Sequence, residues 1–227
     1  MYAETMEIEI TMENILNLDV DAIVNPTNIH MMNKGGGLDG AIRQAAGAGL
    51  AEECRIIGGC PTGEARVTGG YQLKAKCVIH TVGPVYNGSP ENAALLASCY
   101  RNCLKCAKNY HLKSIAFPPI ATGSFGYPKR EAAEIVFRTL DEWSRENPSE
   151  QIHIILTCFG DSESYGYYSR GISEIAEEPR ESIDRTDEYF EYLNTLTPEQ
   201  RKFRALHTPD SDPDLYNPFL FMKNPKK

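Results

Sequence analysis

Residues 20–47, VDAIVNPTNIHMMNKGGGLDGAIRQAAG, limit what this chain can become more than any other stretch. A short apolar run, Ala22-Ile23-Val24, stands ahead of three consecutive glycines, Gly35-Gly36-Gly37, and the apolar-periodic start of a helix at Ala41. An apolar run bounded by turn residues reads as a buried strand, and strand, glycine loop and helix in that order begin an α/β unit. Three glycines together lose much backbone entropy on ordering, and no packing argument asks for them. Ahead of a helix N-terminus they suit a loop whose backbone N–H groups close on an anion, helped by the helix dipole.

The rest of the chain repeats the alternation. Strands are expected at 6–10, 21–25, 65–68, 77–82, 114–117 and 151–158, with a turn or short helix at 14–17. Helices are expected at 91–109, opened by Ser89-Pro90-Glu91, at 129–145, and within 161–175. Gly47 is a stop signal, yet Ala45, Ala46, Leu50 and Cys54 share one side, so a single helix is expected over 39–57. Strand–helix alternation of this kind predicts a mixed, largely parallel sheet covered on both faces. A second glycine loop, 120–128, also follows a strand. Both loops should therefore open on the carboxyl edge of the sheet, where such folds bind ligands.

Charge and cysteine usage exclude several classes. A formal net charge of -8 repels bulk nucleic acid, although a nucleotide held by backbone amides needs no basic surface. The opening MYAETMEIEI has no basic and apolar leader, and no run approaches a membrane span. Seven cysteines without a leader point to reduced thiols in a cytoplasm. Cys99, Cys103 and Cys106 fall on one helix face beside Leu95, Leu96 and Leu104, the pattern of a buried face rather than a metal site, so no metal or cofactor is expected. From about 176 the composition changes. Residues 176–227 are acidic at first and end in LYNPFLFMKNPKK, too apolar for a solvating tail, so this extension is expected to dock on the 1–175 domain or on a protein partner.

Gly35-x-Gly37-x-x-Gly40 spells a dinucleotide fingerprint, but the strand ends too early and no acid-ended strand follows, so nicotinamide binding is disfavoured. The loop and its neighbours resemble the macrodomain family instead. Asp21-Ala22-Ile23-Val24-Asn25-Pro26-Thr27-Asn28 is similar to its D-A-I-V-N-x-x-N motif, and Gly35 to Ile42 to its G-G-G-V-D-G-x-I. Ile79-His80-Thr81-Val82-Gly83-Pro84 is similar to I-H-x-V-G-P, and residues 117–128 to F-P-x-I-x-T-G-x-F-G-Y-P. The resemblance covers roughly residues 6–170 and implies a three-layer α/β/α domain that binds ADP-ribose or an ADP-ribosylated protein.

The acid in the first glycine loop resembles the MacroD-type branch. That resemblance implies removal of ADP-ribose from acidic side chains, or deacetylation of O-acetyl-ADP-ribose. Non-catalytic reading of ADP-ribose and hydrolysis of ADP-ribose-1″-phosphate are the alternatives. Asp39 is the implied catalytic residue, orienting a water beside the distal ribose, with N-capping of the helix as its alternative role. Asn28 is implied as the second catalytic residue, holding the ribose hydroxyls, or else it closes an Asx-turn. Gly35, Gly36 and Gly37, with Thr122, Gly123, Ser124, Gly126 and Tyr127, would surround the diphosphate and ribose. Phe125 would lie on the distal ribose, or else pack in the core. Asn25 would bond loop backbone. Asn14 and Ile15 would meet adenine, with Phe159 or Tyr165 stacking on it, and Tyr168 competing for that place. Three departures stand out: Asn14 where the family has Asp, eleven positions from Asn28 to Asp39 (one more than usual), and Asn33-Lys34 where glycine is common.

Overall fold

The computed structural model describes residues 6–32 and 36–177, with side chains to residue 172. Asn33, Lys34 and Gly35, and the extension from residue 178 on, lie outside the described residues. In chain order the strands are β1 (Met6–Thr11), β2 (Ala22–Pro26), β3 (Ala65–Gly69), β4 (Cys77–Thr81), β5 (Ser114–Phe117) and β6 (Ile152–Thr157). The helices are α1 (Gly37–Ala46), α2 (Ala48–Ile57), α3 (Glu91–Asn109), α4 (Lys129–Glu146) and α5 (Ser162–Glu177), with a 3-10 turn at Ile15–Asn17.

The six strands run in the order β1-β6-β5-β2-β4-β3, and every pair is parallel except β3 with β4. Alternate side chains of the inner strands point to opposite faces. Val24, Ile79, Ile115, Phe117, Ile154 and Leu156 join Leu96, Tyr100 and Leu104 of α3, Val136 and Leu140 of α4 and Tyr168 of α5 in one core. Ile23, Val78, Ala116 and Ile155 join Ile42 and Ala46 of α1 and Leu50 and Cys54 of α2 in the other. Each fully buried Ile, Leu or Phe in these layers contributes about 2 kcal/mol of transfer free energy. The two cores are why the inner strands read as unbroken apolar runs.

The single helix expected over 39–57 is two helices. Gly47 takes φ +83 and ψ -176, a region that residues with a Cβ rarely enter, and its N–H still closes α1 onto the Arg43 carbonyl. Both helices keep their apolar positions on the same core, Ile42 and Ala46 of α1 with Leu50 and Cys54 of α2. The cysteine face of α3 is core, as expected: Cys99 and Cys103 are fully buried, and the Cys99 thiol donates to the Val82 carbonyl at 3.3 Å. Among the described residues, no group of three or more His, Cys, Asp or Glu side chains could hold a metal. Nor is any described helix long and apolar enough to cross a membrane.

Candidate active site

Four strand ends point the same way, because β2, β4, β5 and β6 are mutually parallel. The chain leaving them gathers on one edge. Thr27 N–H donates to the Thr81 carbonyl at 2.9 Å, joining the exits of β2 and β4. Tyr86 N–H donates to the Phe125 carbonyl at 2.9 Å, joining the β4 exit to the second glycine loop. Cys158 N–H donates to the Thr11 carbonyl at 2.8 Å, and the Thr157 hydroxyl donates to the Glu13 carbonyl, bringing in the exit of β1.

The first glycine loop ends on α1. Gly36 and Gly37 have φ +101 and +63, and a Cβ at either would meet no protein atom within 4 Å. Backbone conformation, not crowding, requires glycine here, and it leaves the helix N-terminus approachable. No side chain caps α1, so its first-turn N–H groups are not taken by a cap. In the second loop Gly126 N–H donates to Gly123 O and Tyr127 N–H to Ala121 O, each at 2.9 Å. That turn leaves Gly123, Ser124 and Gly126 exposed and Thr122 half-buried. Phe125 is half-buried and packs against the α3/α4 core, the packing role considered for it. Tyr127 does not face the edge: it is buried and its ring lies 4.8 Å from that of Tyr86, so it backs the loop from within.

Asp39 is not an N-cap. Helix α1 already starts at Gly37, which puts Asp39 in the first turn with its carboxylate turned onto neighbouring side chains. Its Oδ1 accepts from Asn25 Nδ2 at 2.6 Å and from Arg43 Nε at 2.9 Å. Arg43 also donates to the Met31 carbonyl at 2.8 Å, tying the pair to the preceding loop. Both charged side chains are nearly enclosed, at 12% and 13% exposure. One carboxylate oxygen, Oδ1, is therefore fixed, and among the described residues no donor sits on Oδ2. Asn25 is fully buried and bonds side chains, not the loop backbone expected of it. Its own carbonyl oxygen is buried without a protein partner, the kind of acceptor that a ligand hydroxyl or an ordered water satisfies.

Asn28 closes an Asx-turn here. Its Oδ1 accepts from His30 N–H at 3.1 Å and Met32 N–H at 3.4 Å, and its Nδ2 donates to the Met32 carbonyl at 2.5 Å. A loop this tight leaves backbone groups that need a local partner, and the asparagine supplies it. Asn14 spends its carbonyl in a similar way, capping the 3-10 turn through Leu16 N–H at 3.0 Å. Ile15 is buried in the α1/α2 core, so only its backbone is available to a ligand. Phe159 and Tyr165 are exposed beyond β6, whereas Tyr168 is buried edge-on against Phe137 and is excluded as a stacking surface. Asp161 fixes the start of α5, accepting from Ser164 N–H at 3.1 Å and from Lys129 Nζ at 2.8 Å. Burial opposes its charge, but Lys129 and Ser164 outweigh that and hold its pKa below the ordinary carboxylate value.

Sequence reasoning passed over two residues that the structure places at the centre. Arg43 reads as an ordinary helix residue, and only the one-turn spacing from Asp39 hints at the pair. His80 sits in a strand buried along its whole length. Burial, reinforced by Arg43, pushes its pKa down to about 3, so the imidazole is neutral at ordinary pH. A histidine in a strand buried on both faces must have partners, and that is the signal that was available.

Comparison with known proteins finds relatives by sequence and by fold. The family model described as Macro domain matches residues 24–136. The O-acetyl-ADP-ribose deacetylase of Salmonella newport is 43% identical over 181 residues, 77% of this chain and 99% of the relative. The ADP-ribose glycohydrolase MACROD1 of Rattus norvegicus is 46% identical over 159 residues, 69% of this chain and 61% of the relative. Among solved structures, a macrodomain of Oceanobacillus iheyensis with ADP superposes with a TM-score of 0.68 at 37% identity, over 73% of this chain and 89% of that one.

Proposed function

This chain belongs to the macrodomain family, and we propose that it is a hydrolase of ADP-ribose derivatives that cleaves ADP-ribosyl esters with Asp39 as the catalytic carboxylate. The names of the rat and Salmonella relatives support that activity class. The observation that carries the reading is Asp39 itself. Its Oδ1 is anchored by Asn25 and Arg43 in the first turn of the helix that the first glycine loop leads into, and among the described residues Oδ2 has no donor.

The chemistry follows from what each group can offer. Backbone N–H groups at Gly36, Gly37 and the first turn of α1, with those of Gly123 and Ser124, suit a diphosphate without a metal. Asp39 Oδ2 accepts a hydrogen bond from a water and takes its proton as the oxygen adds to the ester carbonyl or to the anomeric carbon. The acyl C–O or the anomeric C–O bond breaks accordingly, and the departing oxygen recovers a proton. An acceptor already held by two N–H donors does not swing away when the ligand enters, so its orientation is set before the reaction. Phe159 stacks on adenine, and seven free cysteines suit a reducing compartment such as the cytoplasm.

The test is release of ADP-ribose from a glutamate-modified protein by the native chain and by Asp39→Ala. Release by the native chain that collapses by about a hundredfold or more in the variant is the expected result for loss of a general base. No release from either, alongside measurable ADP-ribose binding, would make this protein a reader of the modification.

A further inference from the structure

Asn25 decides where the fixed oxygen of Asp39 sits, and the way Asn25 is itself held crosses three strands. Asn25 on β2 and His80 on β4 are register partners. Asn25 Nδ2 lies 3.1 Å from His80 Nδ1 and 2.6 Å from Asp39 Oδ1, so its two hydrogens serve those two acceptors. On the far side His80 Nε2 lies 2.9 Å from the hydroxyl of Thr68, on the edge strand β3, and that hydroxyl donates onward to the Gly69 carbonyl at 3.3 Å. The directions are mutually consistent. A Thr68 hydroxyl that spends its proton on Gly69 can only accept from His80, so Nε2 carries the imidazole proton and Nδ1 is bare. A bare Nδ1 can only accept, so Asn25 must present its amide N–H and not its carbonyl. The amide then offers its second N–H to Asp39.

We infer that His80 and Thr68 are positioning residues for Asp39, acting through Asn25: the edge strand selects the histidine tautomer, and the tautomer selects the asparagine orientation that locks the carboxylate. Neither residue touches the carboxylate. The arrangement has a competing state that shows what is at stake. Cys54 Sγ lies 3.8 Å from His80 Nε2 and offers a weak thiol donor there. Without the Thr68 acceptor, the proton moves to Nδ1 and the Cys54 thiol faces a bare Nε2. Nδ1–H would then confront the Asn25 N–H donors. The amide would turn to bring its carbonyl to His80 and, unavoidably, take its N–H away from Asp39. Thr68, His80, Asn25 and Cys54 are all buried, so no water replaces a partner lost among them at once.

The test uses Thr68→Val, His80→Asn and His80→Leu in the full chain. Valine keeps the shape of Thr68 and removes only the acceptor. Asparagine at 80 places a carbonyl near the Nδ1 position and restores an acceptor for Asn25, whereas leucine cannot. In ester hydrolysis, Thr68→Val and His80→Leu should lower kcat about tenfold, the rate equivalent of one misdirected polar group, with KM within about twofold, and His80→Asn should recover most of the loss. A role confined to stability would lower the amount of folded protein equally for asparagine and leucine, and leave kcat per folded site unchanged. Solvent exchange of the Asn25 side-chain amide, followed by NMR, needs no turnover. It should be slow in the native chain and in His80→Asn, and faster in the other two. Unaltered exchange in Thr68→Val and His80→Leu would overturn the inference whether or not the ester is cleaved. Absence of native turnover with altered exchange would instead count against the hydrolase reading on which the kinetic arm rests.

Discussion

Replacing His80 with asparagine should change the dependence of stability on pH in a calculable way. The native fold keeps this imidazole neutral, with a pKa near 3 against an ordinary 6.5, because burial penalises the cation and Arg43 adds repulsion. The sign follows from proton counting. Below about pH 6.5 the unfolded chain binds a proton at this position that the folded chain refuses, so acid favours unfolding. The stabilising effect of neutral His80 is complete above the unfolded pKa and is lost as pH falls from there toward 3. The slope approaches about 1.4 kcal/mol per pH unit, and the loss reaches about 2 kcal/mol by about pH 5. Urea unfolding of native protein and His80→Asn at about pH 7 and about pH 5 reads this directly. All other titrating groups are common to both proteins and cancel in the difference. The asparagine protein should be the less stable at neutral pH, and the gap should close by about 2 kcal/mol in acid. Parallel stability curves would refute the premise that His80 is buried neutral, and with it the assigned proton on Nε2.

Phe159→Ala should weaken ADP-ribose binding about tenfold in titration calorimetry, the usual worth of one aromatic face under a base, and leave the melting temperature unchanged because the ring is 66% exposed. Undiminished affinity would move the adenine platform to Tyr165. Gly70→Ala should cost about 3 kcal/mol in thermal unfolding, since its Cβ would stand 1.9 Å from the Ala75 carbonyl oxygen, a backbone atom that cannot swing aside. A loss below about 1 kcal/mol would mean that the turn after β3 repacks freely.

Ordering of the site divides between two kinds of residue. Gly36, Gly37 and Asp39 were recognisable in the chain because glycines in series and an acid beside them are rare outside ligand loops. Asn28, Tyr127 and Ile15 were placed on the ligand by motif position, and the structure gives their side chains to a turn and to the two cores. A motif records which residues accompany a site; it does not record which atoms of those residues face it. Arg43 and His80 show the converse. Arg43 carries only its one-turn spacing from Asp39 as a local signature, and His80 carries none, because its partners are chosen by which strands are neighbours.

The alternation of apolar runs with amphipathic segments was enough to determine an α/β sheet, all six of its strands to within a residue at either end, and helix α3 over the full Glu91–Asn109. These are local matters: hydrophobic periodicity, a proline-opened helix and glycine punctuation act within a few residues. The sequence alone also placed both glycine loops on one edge, since each follows a parallel strand. The tertiary structure decided the rest. It set β3 antiparallel at the sheet edge, which brings Thr68 to His80, and it set β4 beside β2, which brings His80 to Asn25 and Asn25 to Asp39. Those hydrogen bonds join residues 12, 55 and 14 positions apart. No periodicity spans such separations, and the direction of each bond depends on where the proton of its neighbour already points.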